Sequence, residues 1–288
     1  MNHGIRSTLL IFASLSLASC CDISDDENDN EGTNMALAVD VPAETVGNWY
    51  QPAVLTSWHW QLEGALNTGY SVDVYDIDLF DSSKVTIEQL QLDHHKVICY
   101  FSAGSYENWR DDKESFSATD YGRTLDGWEG ERWLDIRSAN VHSIMLTRLD
   151  LAVSKGCDGV EPDNMDGYSN ASGFTLTADD QLAYNRYLAN QAHLRGLSIG
   201  LKNDLDQIAE LVEYYDFAVN EQCFEYQECE ALAPFTDAGK AIFNAEYADI
   251  YVNDATARNT LCVEAMNLQM SSLILPLDLD DSIRLSCL

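Results

Sequence analysis

Two short segments set carboxylates beside amide groups in a way that chemistry on sugars would use. Residues 159–164 read Gly-Val-Glu-Pro-Asp-Asn, and residues 219–222 read Val-Asn-Glu-Gln. Other apolar runs end in a similar manner. They give Asp76-Ile77-Asp78, Tyr100-Phe101-Ser102-Ala103-Gly104-Ser105, Lys202-Asn203-Asp204 and Asn244-Ala245-Glu246-Tyr247, with Asp278, Asp280 and Asp281 after the last run. One such carboxylate would mean little, but their recurrence at most run ends points to an acid-lined crater. Three chemistries use a crater of that kind. A glycosidase needs two carboxylates across a glycosidic bond, one to protonate the leaving oxygen and one to attack or to activate water. It also needs amides, hydroxyls and aromatic faces for the sugar rings, types supplied by Asn164, Asn203, Asn220, Trp58, Trp60, Tyr100 and Tyr247. A metal-dependent lyase or phosphodiesterase would gather the acids as oxygen ligands for Mg²⁺ or Ca²⁺. That chemistry usually brings basic groups, and Lys202 is the only lysine at a run end. A non-catalytic glycan-binding surface barrel would use the same aromatics and amides. The residues favour the glycosidase, with no cofactor called for, and leave the other two open. No CxxC pair or histidine spacing points to a metal site.

The elements that must carry these residues follow from the alternation of short apolar runs with longer helix-like stretches past residue 50, the pattern of βα units around a parallel sheet. Strands are predicted at 58–62, 72–79, 96–101, 159–161, 198–201, 217–219, 240–244 and 272–276. Helices are predicted at 86–93, 141–155, 177–195, 205–215, 231–239 and 255–267. The third unit carries a long insertion, 102–140, rich in Trp and charge. Eight units in this length argue for an α/β fold of one (β/α)8 TIM-type barrel domain, residues 46–288, whose chemistry sits where the strands end. An open doubly wound sheet fits less well, because no glycine-rich turn follows the first strand.

The chain has 288 residues with 48 acids against 16 bases, a net charge of -32, and 46% apolar residues. It can bury a large core and is not a disordered acidic chain. So much negative charge is repelled by phosphate backbones and anionic lipid, which excludes nucleic acid as a partner and favours a cationic or neutral one. Residues 1–19 read as an export signal, too short in their apolar run to span a bilayer. They end in Leu17-Ala18-Ser19-Cys20, a bacterial lipobox-like sequence that predicts acylation of Cys20. The expectation is an exported protein, lipid-anchored to the cell envelope and monomeric, meeting membrane through the anchor only; a plain secreted form is the alternative. Residues 20–45 are expected to be an acidic tether. Export permits disulfides, and Cys223 with Cys229 is the foremost pair, whereas Cys99 and Cys157 are expected to pack as free thiols in apolar surroundings.

At the motifs quoted, the chain resembles glycoside hydrolase family 114, the endo-α-1,4-polygalactosaminidases. The matching stretches are VDVYDIDLFD (72–81), VICYFSAGSYENWR (97–110), GWEGERWLDIRS (127–138), KGCDGVEPDNMDGY (155–168), LKND (201–204), VNEQCFEY (219–226) and FNAEY (243–247). They fall in the family's order and cover most of residues 55–250. The resemblance implies a barrel that cleaves α-1,4-linked galactosamine polymers internally, with retention and without a metal. It places the chemistry on Asp163 and Glu221, one as nucleophile and the other as acid/base, with the assignment open.

Around that pair the residues expected to touch substrate are Trp58, Asp76, Asp78, Tyr100, Ser105, Asn164, Lys202, Asn203, Asn220, Glu246 and Tyr247, with Asp166 and Tyr168 as further candidates. Asp76 and Asp78 could orient Lys202, bind substrate amines, or form a structural salt bridge. Lys202 is expected to hold a carboxylate ionised by hydrogen bonding. Glu161 is expected to point away from Asp163, since residues beyond a strand need not keep its alternation. Trp109, Trp128 and Trp133 in the insertion would either form a sugar platform or pack it.

Overall fold

The computed structural model describes residues 36–288. The expected signal, Cys20 and residues 20–35 of the expected tether lie outside the described residues. Residues 37–44, expected in the tether, run along the outer wall of the fold. There Asn190 donates to the Pro42 carbonyl (2.9 Å) and accepts from the Glu44 N–H (2.7 Å), and Leu37 and Ala43 pack against the core.

Eight parallel strands form in chain order, at the positions that the apolar runs mark. They are β1 (Trp58–Gln61), β2 (Val74–Asp78) and β3 (Lys96–Ser102), then β7 (Gly159–Asp163), β8 (Ser198–Lys202), β9 (Phe217–Glu221), β10 (Ala241–Glu246) and β11 (Ser271–Ile274). Each pairs with its neighbour in a curled sheet, and a short ninth strand, β12 (Leu285–Ser286), adds antiparallel to β11. No ladder joins β1 to β11 among the described residues. The seam is held instead by the Trp58 indole, which donates to the Ser271 carbonyl, and by Arg284, which donates to the Trp58 carbonyl, both at 2.7 Å.

The insertion after β3 is a three-stranded antiparallel sheet of β4 (Ser105–Glu107), β5 (Tyr121–Leu125) and β6 (Trp128–Leu134), ordered β4-β6-β5. It is fastened to the barrel by buried ion pairs. Arg110 grips both oxygens of Asp78 (3.0 and 2.7 Å), and Arg148 reaches Asp112 (2.8 Å) and Glu107 (3.4 Å).

Helices cover the outer face: α1 (Lys84–Leu92), α2 (Ala139–Lys155), α3 (Ala178–His193), then the short α4 (Ile208–Leu211), α5 (Cys223–Tyr226), α6 (Ala233–Asp237) and α7 (Asp249–Asn253), and α8 (Ala255–Asn267). The start of α3 is a capping box, in which Thr177 and Asp180 satisfy each other's backbone N–H groups; a cap of this kind contributes about 1 kcal/mol. Gly156 ends α2 in the left-handed region at φ 88, where a glycine carries no Cβ penalty. The stretch predicted as one helix at 205–215 is a 3-10 turn and the single turn α4.

Strand alternation divides the core in two. Trp58, Trp60, Val74, Ile98, Phe217, Val219, Phe243, Ala245 and Leu273 fill the barrel interior, while Tyr75, Ile77, Cys99, Phe101, Val160 and Ile199 meet the helices. Three disulfides join Cys99–Cys157, Cys223–Cys229 and Cys262–Cys287. The first corrects the expectation of free thiols. Cys99 faces outward on β3 and Cys157 lies at the end of α2, with Cα atoms 6.1 Å apart, inside the bonding range.

Candidate active site

Strand parity decides what reaches the crater. On β7 the ladder with β3 runs through Phe101↔Pro162 to Ser102↔Asp163, so Asp163 is the strand's last residue and not a loop residue. Glu161 and Asp163 therefore point the same way, one layer apart, which corrects the expectation that they diverge. Glu161 is fully buried and Asp163 stands above it. The same parity on β8 and β9 aims Lys202 and Glu221 inward beside them.

Lys202 is the centre of the site. Its ammonium lies 3.1 Å from Asp163 Oδ1, 3.2 Å from Glu221 Oε2 and 3.4 Å from Glu161 Oε1, and 4.9 Å above the Trp60 ring. Burial alone would push this ammonium down, but Asp163, Glu221 and Glu161 outweigh it and hold it well above the ordinary lysine range. The two bonded oxygens of Asp163 and Glu221 are at most 6.3 Å apart, the sum of 3.1 and 3.2 Å.

Each acid has further donors. Asp163 accepts from the Tyr100 hydroxyl (2.9 Å) and the Asn164 N–H (2.7 Å). Its carbonyl receives the N–H groups of Ala103 (2.9 Å) and Gly104 (3.0 Å). Gly104 is obligatory there, because a Cβ would stand 1.7 Å from the Asn164 carbonyl oxygen. Glu221 accepts from the Tyr247 hydroxyl and from Asn203 Nδ2 (3.2 Å), while Asn203 Oδ1 receives the Glu221 N–H (3.0 Å) and Asn220 Nδ2 (3.2 Å). Asn164 and Asn203 both sit at positive φ, 61 and 49, which asparagine tolerates better than most residues.

Below them Asp76 and Glu161 are fully buried, and among the described residues the Lys202 ammonium, 3.4 Å from Glu161, is the nearest charge that compensates the pair. Burial pushes Asp76 up to about 7; burial and the Asp76 charge push Glu161 well above the carboxylate range.

The structure thus brings together Asp163, Glu221, Lys202, Tyr100, Asn203 and Tyr247, with Asn164 at the wall and Asn220 supporting Asn203 from behind. Five expected substrate contacts are otherwise engaged, although Asp78 still lines the crater. Trp58 is core, stacked on Phe243 with ring centroids 4.9 Å apart. Asp76 lies under the site. Asp78 is committed to Arg110 and to the N–H groups of Phe80 and Asp81, the structural salt bridge. Ser105 is fully buried in a hydroxyl chain between Ser102 and Glu131. Glu246 faces outward by parity with Asn244 and accepts from the Phe224 N–H (2.9 Å) at the start of α5.

The crater encloses about 950 Å³. Ten acids and three bases line it, and two of those bases, Arg110 and Lys202, are already paired with acids. Its rim carries Trp109 and Trp128, 50% and 47% exposed, whereas Trp133 at 8% packs the insertion. Glu131 and Asp166 also line it; burial pushes them up to about 7 and about 6. Glu131 was not legible in the sequence, since it follows no barrel strand and enters from the insertion.

The family model described as glycoside-hydrolase family GH114 matches residues 40–288. No curated protein matches. Among solved structures, Ega3 of Aspergillus fumigatus in complex with galactosamine is 47% identical, covering 83% of this chain and 98% of that one with a TM-score of 0.79. The glycoside hydrolase domain of PelA from Pseudomonas aeruginosa shares the fold at 13% identity, covering 80% of this chain and 98% of that one, with a TM-score of 0.63.

Proposed function

Because the chain belongs to glycoside-hydrolase family GH114, we propose that it cleaves α-1,4-linked galactosamine-containing polysaccharide internally, with retention, using Asp163 and Glu221 as its two reacting carboxylates. The observation that carries this reading is the single buried ammonium that binds both acids, which holds their facing oxygens within 6.3 Å. A retaining pair stands about 5–5.5 Å apart and an inverting pair about 6.5–9.5 Å, and two acids on one ammonium are compatible with the closer spacing. One carboxylate attacks the anomeric carbon while the other protonates the leaving oxygen; water then enters from the side the leaving sugar vacated, and the second acid takes its proton. Lys202, Tyr100 and Tyr247 steady the charge on both acids through these steps. The similarity to a galactosamine-bound relative and the surplus of acids in the crater support an amino-sugar polymer, cationic where its amines are free.

Export belongs to the same proposal, through residues 1–19 with Cys20 as the acylated anchor and a monomeric barrel outside the cell. Three disulfides support an oxidising compartment. The test is incubation of the chain with deacetylated and acetylated galactosamine polymers, with product sizing and NMR of the first anomer formed. Short oligomers released from mid-chain as the α anomer are expected. An intact polymer would favour a glycan-binding barrel, a β anomer would overturn retention, and activity lost on exhaustive chelation would favour a metal enzyme.

A further inference from the structure

Four polar groups run in a line from the insertion to the loop after β7. Asn164 Oδ1 is 2.7 Å from Ser102 Oγ, Ser102 Oγ is 2.6 Å from Ser105 Oγ, and Ser105 Oγ is 2.6 Å from Glu131 Oε2. The Ser105 N–H also donates to Ser102 Oγ (3.0 Å). All three oxygen–oxygen contacts are of hydrogen-bond length, yet the two serines own only two hydroxyl hydrogens. Two oxygens at 2.6 Å with no hydrogen between them repel. A third hydrogen must come from one end of the line.

The surroundings of Glu131 indicate which end. It is 8% exposed and directly opposite Glu107 in the β4–β6 ladder. Burial raises the Glu107 carboxyl and Arg110 (2.8 Å) and Arg148 (3.4 Å) oppose that by pairing with its charge, and like charges directly opposite on a sheet are unfavourable. Asp163 adds a second negative charge nearby, and the cation that opposes them at Glu131, Arg110, is already spent on Asp78 and Glu107. No lysine or arginine pairs with Glu131 among the described residues.

We propose that Glu131 is a positioning residue whose neutral acid form donates the third hydrogen, so that Glu131, Ser105 and Ser102 bond in one direction onto Asn164 and fix the loop that presents Asp163. Asn164 sits in the left-handed region at φ 61 and donates its own N–H to Asp163 Oδ1, so what holds Asn164 holds the reacting carboxylate. Burial, which raises Glu131 to about 7, makes the hand-off pH-dependent. Above that pH the acid ionises, the line is one hydrogen short, and Asn164 loses its anchor. The inference rests on Asp163 as a reacting group, but its first readout does not.

The experiment compares the full chain with Glu131→Gln, which keeps a donor but cannot titrate, and Glu131→Leu, which has none. In infrared difference spectra at pH 5.5, wild type minus Glu131→Gln is expected to show a protonated carboxyl band that fades with a midpoint near 7. On galactosamine polymer, the wild-type kcat is expected to fall roughly tenfold across the same range, the worth of one hydrogen bond. Glu131→Gln is expected to lack that fall, and Glu131→Leu to lose kcat at every pH with KM little changed. Absence of the band, or a Glu131→Gln profile that tracks wild type, overturns the proposal and leaves the Asn164 amide as the source of the third hydrogen. If both variants unfold, Ser105→Ala, which cuts the line one hydroxyl inward, is expected to lose the same pH-dependent fall, and retention of the fall would overturn the proposal. If Asp163→Asn turned over normally, the reading of the site would fail while the band remained.

Discussion

Replacing Lys202 with methionine removes the one cation that the reacting pair shares and keeps the volume of its stem. Lys202 is 3% exposed and lies within 3.4 Å of Glu161, Asp163 and Glu221. Its loss leaves those acids, and Asp76 below them, facing one another without compensation. Removing one partner of a buried ion pair costs about 3–5 kcal/mol. At roughly 2–4 °C per kcal/mol in a domain of this size, the melting midpoint at pH 8 should fall by about 6–20 °C. The pH dependence carries the sharper test. Without the ammonium, Asp76 and Glu161, already raised by burial, move further up. An acid raised on folding binds more protons folded than unfolded, so stability is present in acid and is lost as pH rises from the ordinary carboxylate value through the raised one. The gap between wild type and Lys202→Met should therefore be small near pH 4 and full by pH 8. Thermal unfolding followed by circular dichroism across that range measures it. An equal gap at both ends would refute the electrostatic reasoning and leave Lys202 as a packing residue.

Other consequences are open to direct measurement. Trp109→Ala and Trp128→Ala should each raise KM for the polymer by about 3–10-fold with kcat little changed, the worth of a stacked ring; unchanged KM would remove them from the sugar path. KM for the deacetylated polymer should rise with ionic strength, because attraction between exposed charges is screened; a flat response would make the acidity general surface chemistry. Burial raises Asp76 and Glu131 to about 7 and Asp204 to about 8, so all three oppose folding once ionised. The wild-type melting midpoint should then fall by several degrees from pH 5 to pH 8, and a rise would contradict those directions.

Much of the fold was legible because the apolar runs and their polar ends carry the period of a parallel sheet. All eight parallel strands fall on predicted runs, and the helices α2, α3 and α8 fall on predicted helical stretches. What the sequence hid depends on strand length by a residue or two. Reading β7 as ending at Glu161 made Asp163 a loop residue, whereas the ladder continues to Asp163 and stacks both acids into the barrel. The same one-residue logic excludes Glu246, whose neighbour Ala245 faces the interior. Trp58 has the chemistry of a sugar platform, but it is the barrel's own filling. The Cys99–Cys157 bond was hidden because each thiol lies in an apolar segment that would suit a free cysteine equally well. Glu131 falls in the matching stretch 127–138, but its role was not readable there, since it comes from a cross-strand partner, Glu107, and from the spacing of the Ser102 and Ser105 hydroxyls.

The central claim is that Asp163 and Glu221 divide a double displacement between them. Azide rescue of Asp163→Ala and Glu221→Ala on an activated aryl glycoside of a galactosamine oligomer tests it most directly. Without the nucleophile, azide attacks the anomeric carbon once and yields the β-azide. Without the acid/base, azide intercepts the glycosyl-enzyme and yields the α-azide. Both variants are expected to be inactive alone and both to be rescued, with the two azides opposite anomers and the β product naming the nucleophile. The same anomer from both variants, or turnover near wild type in either without azide, would contradict it.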